Sequence, residues 1–347
     1  MASSGAARPG DPTDLPRWAR KAAPYSMPLD VMMMYSAVTI CGDKIDDAGQ
    51  AQRVRNGTGF IMTIPSDAGR LHGYVVTARH VVKDLTNIEV EIANPYRVGE
   101  LYPPEPLTDW RPSETHPKAD LAIAPFTTPQ GRSSIAIELG VQVIYNLEVK
   151  LGADFHYIGL LAPLGVPMAR SGTIGALDVP GIQHDGPYEY DAHLADVRSY
   201  GGFSGSPCYL EYPFANLEPV DRQKLPMAWP ESLKDRPFGA LAFMHVFCGM
   251  FTEHFSDKRM SGFASTLGTG VILPANTIIE TLMTDKLQKE RTESDDRFVA
   301  SHLDNPIEAV SAGKSGDEFT RFEDLTRKLV QVPKKELDEK RDEKDGQ

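Results

Sequence analysis

The run Gly201-Gly202-Phe203-Ser204-Gly205-Ser206-Pro207 sets one serine among neighbours that keep the backbone sharply turned and sterically open. Small flanks suit a nucleophile. They let a carbonyl approach the hydroxyl, and they let consecutive backbone N–H groups converge on the oxyanion that forms during acyl transfer. A serine of this kind needs a base, and His80 closes the β-branched run Tyr74-Val75-Val76-Thr77-Ala78-Arg79, where a strand can present it. Gly57-Thr58-Gly59-Phe60 reads as the neighbouring strand. A third group must hold the imidazole in one tautomer, and Asp120 stands at the mouth of the apolar run Leu121-Ala122-Ile123-Ala124. Taken singly, His80 reads as a packed histidine and Asp120 as a turn residue at a strand start. In the order His, Asp, Ser, each with fitting flanks, they read as base, orienting carboxylate and nucleophile.

The elements that must position these groups are short and β-rich. Runs at 37–40, 59–64, 73–77, 88–92, 121–125, 142–145, 155–161, 173–177, 192–197, 208–211, 239–247 and 270–273 are separated by Gly, Asp, Asn and Pro clusters. About a dozen such strands predict an all-β sandwich or barrel. Two proline-rich segments, 94–118 and 212–237, read as surface insertions. Helical spacing of Ile278, Ile279, Leu282 and Met283 predicts a terminal helix over 276–287. Residues 1–30 carry prolines and little periodicity, as expected of a mobile arm. Residues 286–347 hold 13 Lys or Arg and 16 Asp or Glu, a charged tail in which Phe319, Phe322, Leu325 and Leu329 predict one short amphipathic helix.

Composition narrows the function classes. The 347 residues are 41% hydrophobic and carry a formal charge of −12, which repels phosphate backbones and anionic lipid in the absence of a basic patch. Neither nucleic acid nor a membrane is an expected partner. The apolar stretches fall short of the roughly 20 residues that cross a bilayer, and residues 1–30 lack the apolar core of a secretory signal. Cys41, Cys208 and Cys248 are an odd and sparse set without metal-type spacing. Three reduced thiols in a cytoplasmic protein is the expectation. No histidine has a zinc-like spacing, and no metal or organic cofactor is expected.

The blocks around the candidate residues carry a family likeness. Gly57-Thr58-Gly59-Phe60, Thr77-Ala78-Arg79-His80, Asp120-Leu121-Ala122 and Gly202-Phe203-Ser204-Gly205-Ser206-Pro207 stand where chymotrypsin-like (trypsin-fold) serine peptidases have theirs. Residues 35–287 thus resemble that family, in particular its bacterial Deg/HtrA and glutamyl-endopeptidase members. Arg170-Ser171-Gly172-Thr173-Ile174-Gly175-Ala176 and Gly270-Val271-Ile272-Leu273-Pro274 fit its later strands. The resemblance implies two packed six-stranded β-barrels: 31–140 with His80 and Asp120, and 141–287 with Ser204 and the terminal helix, followed by the tail 288–347. It implies hydrolysis of peptide bonds through an acyl-enzyme. His80 would take and return the Ser204 proton, Asp120 would orient the imidazole, and the N–H groups of Gly202 and Ser204 would hold the oxyanion.

Phe203 departs from the family, which usually has Asp or Asn before the serine. Activation by a newly cut N-terminus pairing with that carboxylate is therefore not expected. For specificity, Phe243-Met244-His245-Val246 resembles a segment that lines the primary pocket in glutamyl endopeptidases and related viral proteases. His245, with Arg198 six residues before Ser204, would favour Glu or Gln before the scissile bond. The alternative to an active endopeptidase is a protease-fold module that binds peptides, or that a partner protein must open.

Overall fold

The β-rich runs pair as antiparallel ladders in the computed structural model, which describes residues 35–94, 100–129, 136–139, 149–161, 166–183, 188–197, 202–211, 245–254 and 268–303. The first half holds β1 (Ala37–Ile45), β2 (Ala51–Pro65), β3 (Leu71–Thr77), the one-turn helix α1 (Arg79–Val82), β4 (Leu85–Ile92), β5 (Glu105–Pro106), β6 (Arg111–Pro112), β7 (Ala122–Phe126) and β8 (Ile137–Glu138). The second holds β9 (Asp154–Leu161), β10 (Val166–Gln183), β11 (Glu189–Val197), β12 (Ser206–Glu211), β13 (His245–His254) and β14 (Thr269–Pro274), then α2 (Ala275–Leu282) and α3 (Asp285–Leu303).

The expected all-β, trypsin-like architecture is present. The second half closes as a six-stranded barrel, β10-β11-β14-β13-β12-β9. The first half is an eight-stranded sheet, β5-β4-β1-β2-β3-β7-β6 with β8 beside β2, whose path stays open among the described residues. Its two edge strands are two residues long and each ends in proline, Pro106 and Pro112. Proline donates no ladder hydrogen bond, so such edges do not extend.

Period-two alternation sorts side chains between two cores. On β12, Cys208 and Leu210 enter the closed barrel with Phe155, Tyr157, Ile174, Phe251 and Ile272, whereas Tyr209 faces the other core. That second core is shared: Phe60 and Val76 of the first sheet meet Phe247, Leu273, Ile278 and Ile279. Sealing each large side chain in this way contributes about 2 kcal/mol. Polar pairs stitch the same seam, Ser36 Oγ to Tyr209 Oη at 2.8 Å and Ser113 Oγ to Thr281 Oγ1 at 2.7 Å.

Some expectations need correction. The segment 94–118 is not wholly irregular, since β5 and β6 lie in it. The strand expected at 239–247 is described only from His245 and continues to His254. The single helix expected at 276–287 is two helices, because the backbone turns out of helical geometry at Met283 (φ −96°, ψ 14°). The second of them runs to Leu303, into the segment read as a polar tail. The arm at 1–30, the strand at 142–145, the insertion at 212–237 and the helix around 319–329 lie outside the described residues.

Candidate functional site

His80 owes its place to an abrupt change of backbone. β3 ends at Thr77, Ala78 stays extended (φ −69°, ψ 138°), and one helical turn follows, pinned from Val81 N–H to Ala78 O (3.0 Å) and by the burial of Val81 and Val82. With the two valines inward, the imidazole is left on the open side, 23% exposed. Asp120 arrives from the loop before β7. There Ser113 Oγ accepts the His116 N–H (2.9 Å) and Ala119 N–H bonds His116 O (2.9 Å).

The two side chains meet. Asp120 is fully buried, and its Oδ2 lies 2.6 Å from His80 Nδ1 while Oδ1 accepts the His80 backbone N–H at 2.9 Å. A buried carboxylate requires such partners, and this one grips both ring and main chain of a single residue. Facing the carboxylate, Nδ1 carries the proton of the neutral ring, which leaves Nε2 as an acceptor.

A strand of the second barrel bonds the loop that carries Asp120. Glu189 N–H bonds Lys118 O at 3.0 Å, and Lys118 Nζ lies 2.6 Å from Glu189 Oε2. This brings the buried Tyr188 and Tyr190, 3% and 7% exposed, within reach of the Asp120 charge. Burial first, then the Asp120 charge, pushes both phenols above their ordinary pKa, so both are neutral at physiological pH. Thr252 Oγ1 donates to Val271 O (3.2 Å), so the Tyr190 hydroxyl donates to Thr252 Oγ1 (2.9 Å). Neither tyrosine nor Thr252 was among the residues expected from sequence. Their one signal was the Tyr-x-Tyr alternation, which puts residues 188 and 190 on one face.

Ser204 sits in a turn strung between the two halves. Thr58 N–H bonds Ser204 O at 2.9 Å, Thr58 Oγ1 donates to Gly202 O at 2.7 Å, and Gly205 N–H bonds Phe251 O at 2.8 Å. Gly205 has φ +89°, and a Cβ there would lie 1.9 Å from Thr58 O, so only glycine fits. Gly57 sits between the two chemical groups: a Cβ on it would lie 2.8 Å from both Val81 methyls and 3.1 Å from Ser204 O. The His80 turn and the Ser204 main chain thus flank the same two residues of β2. Among the described residues, nothing accepts a hydrogen bond from the N–H of Gly202 or Ser204.

The two candidates for the specificity pocket fare differently. Arg198 lies outside the described residues. His245 opens β13 opposite Glu211, whereas it is Phe251 that pairs with Ser206 and bonds the Ser204 turn. Six residues of strand separate His245 from Phe251, roughly 20 Å. The structure therefore does not bring His245 to Ser204. The part of β13 that passes the turn is Phe251–His254. The three cysteines are free and buried, as expected, and burial pushes the thiols of Cys41 and Cys248 up to about 12.

Comparison with known proteins follows the same lines. Residues 57–212 match the family model described as a trypsin-like peptidase domain. No curated protein matches the chain. Among solved structures it is similar to the MamO protease domain from Magnetospirillum magneticum, at 18% identity over 72% of this chain and 96% of that one, with a TM-score of 0.44. It is also similar to the active form of the Rv3671c protease from M. tuberculosis, at 18% identity over 74% of this chain and 82% of that one, with a TM-score of 0.41. A third is the HtrA-type protease AlgW with a decapeptide, at 16% identity over 73% of this chain and 64% of that one, with a TM-score of 0.44. The match to the trypsin-like peptidase domain thus spans the segment that holds His80, Asp120 and Ser204.

Proposed function

We propose that this protein is a serine endopeptidase in which Ser204, His80 and Asp120 act as nucleophile, general base and orienting carboxylate. The observation that carries the reading is the buried two-point grip of Asp120 on His80, next to a β2 segment that also holds the Ser204 turn. Nε2 of the neutral ring takes the Ser204 proton as the hydroxyl attacks the scissile carbonyl. The imidazolium then protonates the leaving amine, stabilised by a carboxylate that has no solvent to share its charge with. The Gly202 and Ser204 amides, without protein acceptors among the described residues, would receive the oxyanion. Water then repeats the sequence on the acyl-enzyme.

The substrates are peptides or proteins. A preference for Glu or Gln before the scissile bond keeps one support, Arg198, and a Glu-peptide hydrolysed no faster than an Ala-peptide would remove it. Three free buried thiols support a cytoplasmic location.

A fluorophosphonate probe reports an activated serine without a known substrate. The wild type is expected to label, and Ser204→Ala and His80→Ala are not. A folded wild type that stays unlabelled would overturn the reading in favour of a peptide-binding or partner-opened module.

A further inference from the structure

Between two glycines with φ of +101° and +89°, Gly202 and Gly205, the Ser204 turn has little intrinsic stiffness. Something must hold its amides in register. Thr58 secures it from the first sheet. From the second barrel the anchor is Phe203, which is fully buried and belongs to the barrel interior with Tyr157, Phe251 and Ile272. Its ring meets Tyr157 edge-on, with centroids 5.6 Å apart and planes at 71°. It also lies over Gly159 of β9, where a Cβ would stand 2.3 Å from Phe203 Cδ1 and 2.7 Å from Cγ. The socket is therefore matched to the ring: β9 gives up a side chain so that the turn can insert one. Ser206 N–H bonds Phe203 O at 3.0 Å, which ties the seated residue directly to the strand that follows.

We propose that Phe203 is a positioning residue for the oxyanion site: seated in the Gly159–Tyr157 socket, it holds the Gly202 and Ser204 amides in their working arrangement as soon as the barrel folds. This rests on the peptidase reading above. An ionised anchor at this depth would need a buried counter-charge before the turn could settle. An aromatic anchor needs only a cavity of its own shape, and the folded barrel supplies it. The oxyanion site then forms with folding, independently of a charged partner or a cut in the chain.

The socket can be filled from the opposite wall in a Ser206→Ala background, because a Cβ on Gly159 would also lie 2.6 Å from Ser206 Oγ. Gly159→Ala adds one methyl where the ring sits, which displaces Phe203 and loosens the two amides. The expected result is a fall in kcat of about 10²-fold, the size of losing one oxyanion donor. KM stays within about threefold, and unfolding stays cooperative, as a merely unstable variant would not show. With Phe203→Ala added to that Ser206→Ala background the same methyl enters vacated space, so adding Gly159→Ala should then change kcat by less than about threefold. Phe203→Leu, which still fills the socket, should stay within about tenfold of wild type. If Gly159→Ala does not fold, Phe203→Ala, which removes atoms instead of adding them, should show the same kcat-selective loss.

An unchanged kcat in Gly159→Ala, a loss confined to KM, or two substitutions whose effects multiply would overturn the lock while leaving an active wild type in place. A folded wild type that neither labels nor cleaves would overturn the peptidase reading and the lock together.

Discussion

The two halves of the molecule hold their chemical groups by different physics. In the open sheet of the first half, His80 and Asp120 are fixed to each other by two hydrogen bonds, 2.6 and 2.9 Å long, around a buried charge. In the closed barrel of the second half, the Ser204 turn is fixed by shape: Phe203 in an aromatic socket, Gly205 against Thr58. A charge-held pair fails when its charge or donor pattern changes, even if every atom stays in place. A shape-held turn fails when volume changes, even if the polarity is untouched. Substitutions that separate charge from volume should therefore hit the two halves in opposite ways.

The largest expected effect is on the charge-held side. In Asp120→Asn the amide has one acceptor oxygen where the carboxylate has two. If that oxygen keeps the His80 backbone N–H, the NH2 group faces Nδ1 and drives the ring proton to Nε2, which removes the base. We expect kcat to fall about 10⁴-fold with little change in stability, read by steady-state peptide hydrolysis and thermal unfolding. A loss below tenfold would mean that the carboxylate is not what orients the ring.

On the shape-held side the order reverses, with stability falling first. Gly205→Ala puts a methyl into Thr58 O at an unfavourable φ, and we expect a loss of about 3 kcal/mol in urea unfolding. A variant as stable as wild type would show that the seam between the halves yields, and the distinction between them would blur.

The smallest effect is a slope. Burial holds the Cys208 and Cys248 thiols, both inside the closed barrel, above their ordinary pKa. A raised folded-state pKa means that stability is fully present below the unfolded thiol's pKa, about 8.5, and is lost as pH rises toward the folded value. Each thiol should remove up to about 1.4 kcal/mol per pH unit in that window. Urea titrations between pH 7 and 10 should show this decline, and Cys208→Ala should make it shallower. An identical slope in the variant would place the alkaline weakness elsewhere.

How much was legible beforehand follows from the range over which each feature is decided. The expected strands at 37–40, 59–64, 73–77, 155–161 and 192–197 lie inside observed ones, since alternation and turn residues act over a few positions. The same locality made His80, Asp120 and Ser204 stand out, because each needs particular immediate neighbours. Length was less legible: β2 runs 15 residues where six were expected, because a long bent strand is held by partners on both sides. His245 shows the limit most plainly. Its flanks resemble a pocket segment, yet the pairing of β12 with β13 carries it to the other end of the strand.

The sequence alone determined the all-β class, the likeness of residues 57–212 to a trypsin-like peptidase domain and the three residues proposed for catalysis, since backbone conformation and local chemistry are written in adjacent positions. Only the tertiary structure decided that Asp120 grips His80 at two points, that the buried Tyr188 and Tyr190 come within reach of its charge, that Phe203 finds its socket at Gly159, and that β12–β13 pairing sets His245 opposite Glu211 and not at the Ser204 turn. Such meetings join residues 40 or more positions apart, and strand register governs them: a shift of one residue reverses which face a side chain occupies, and no short stretch of chain encodes that shift.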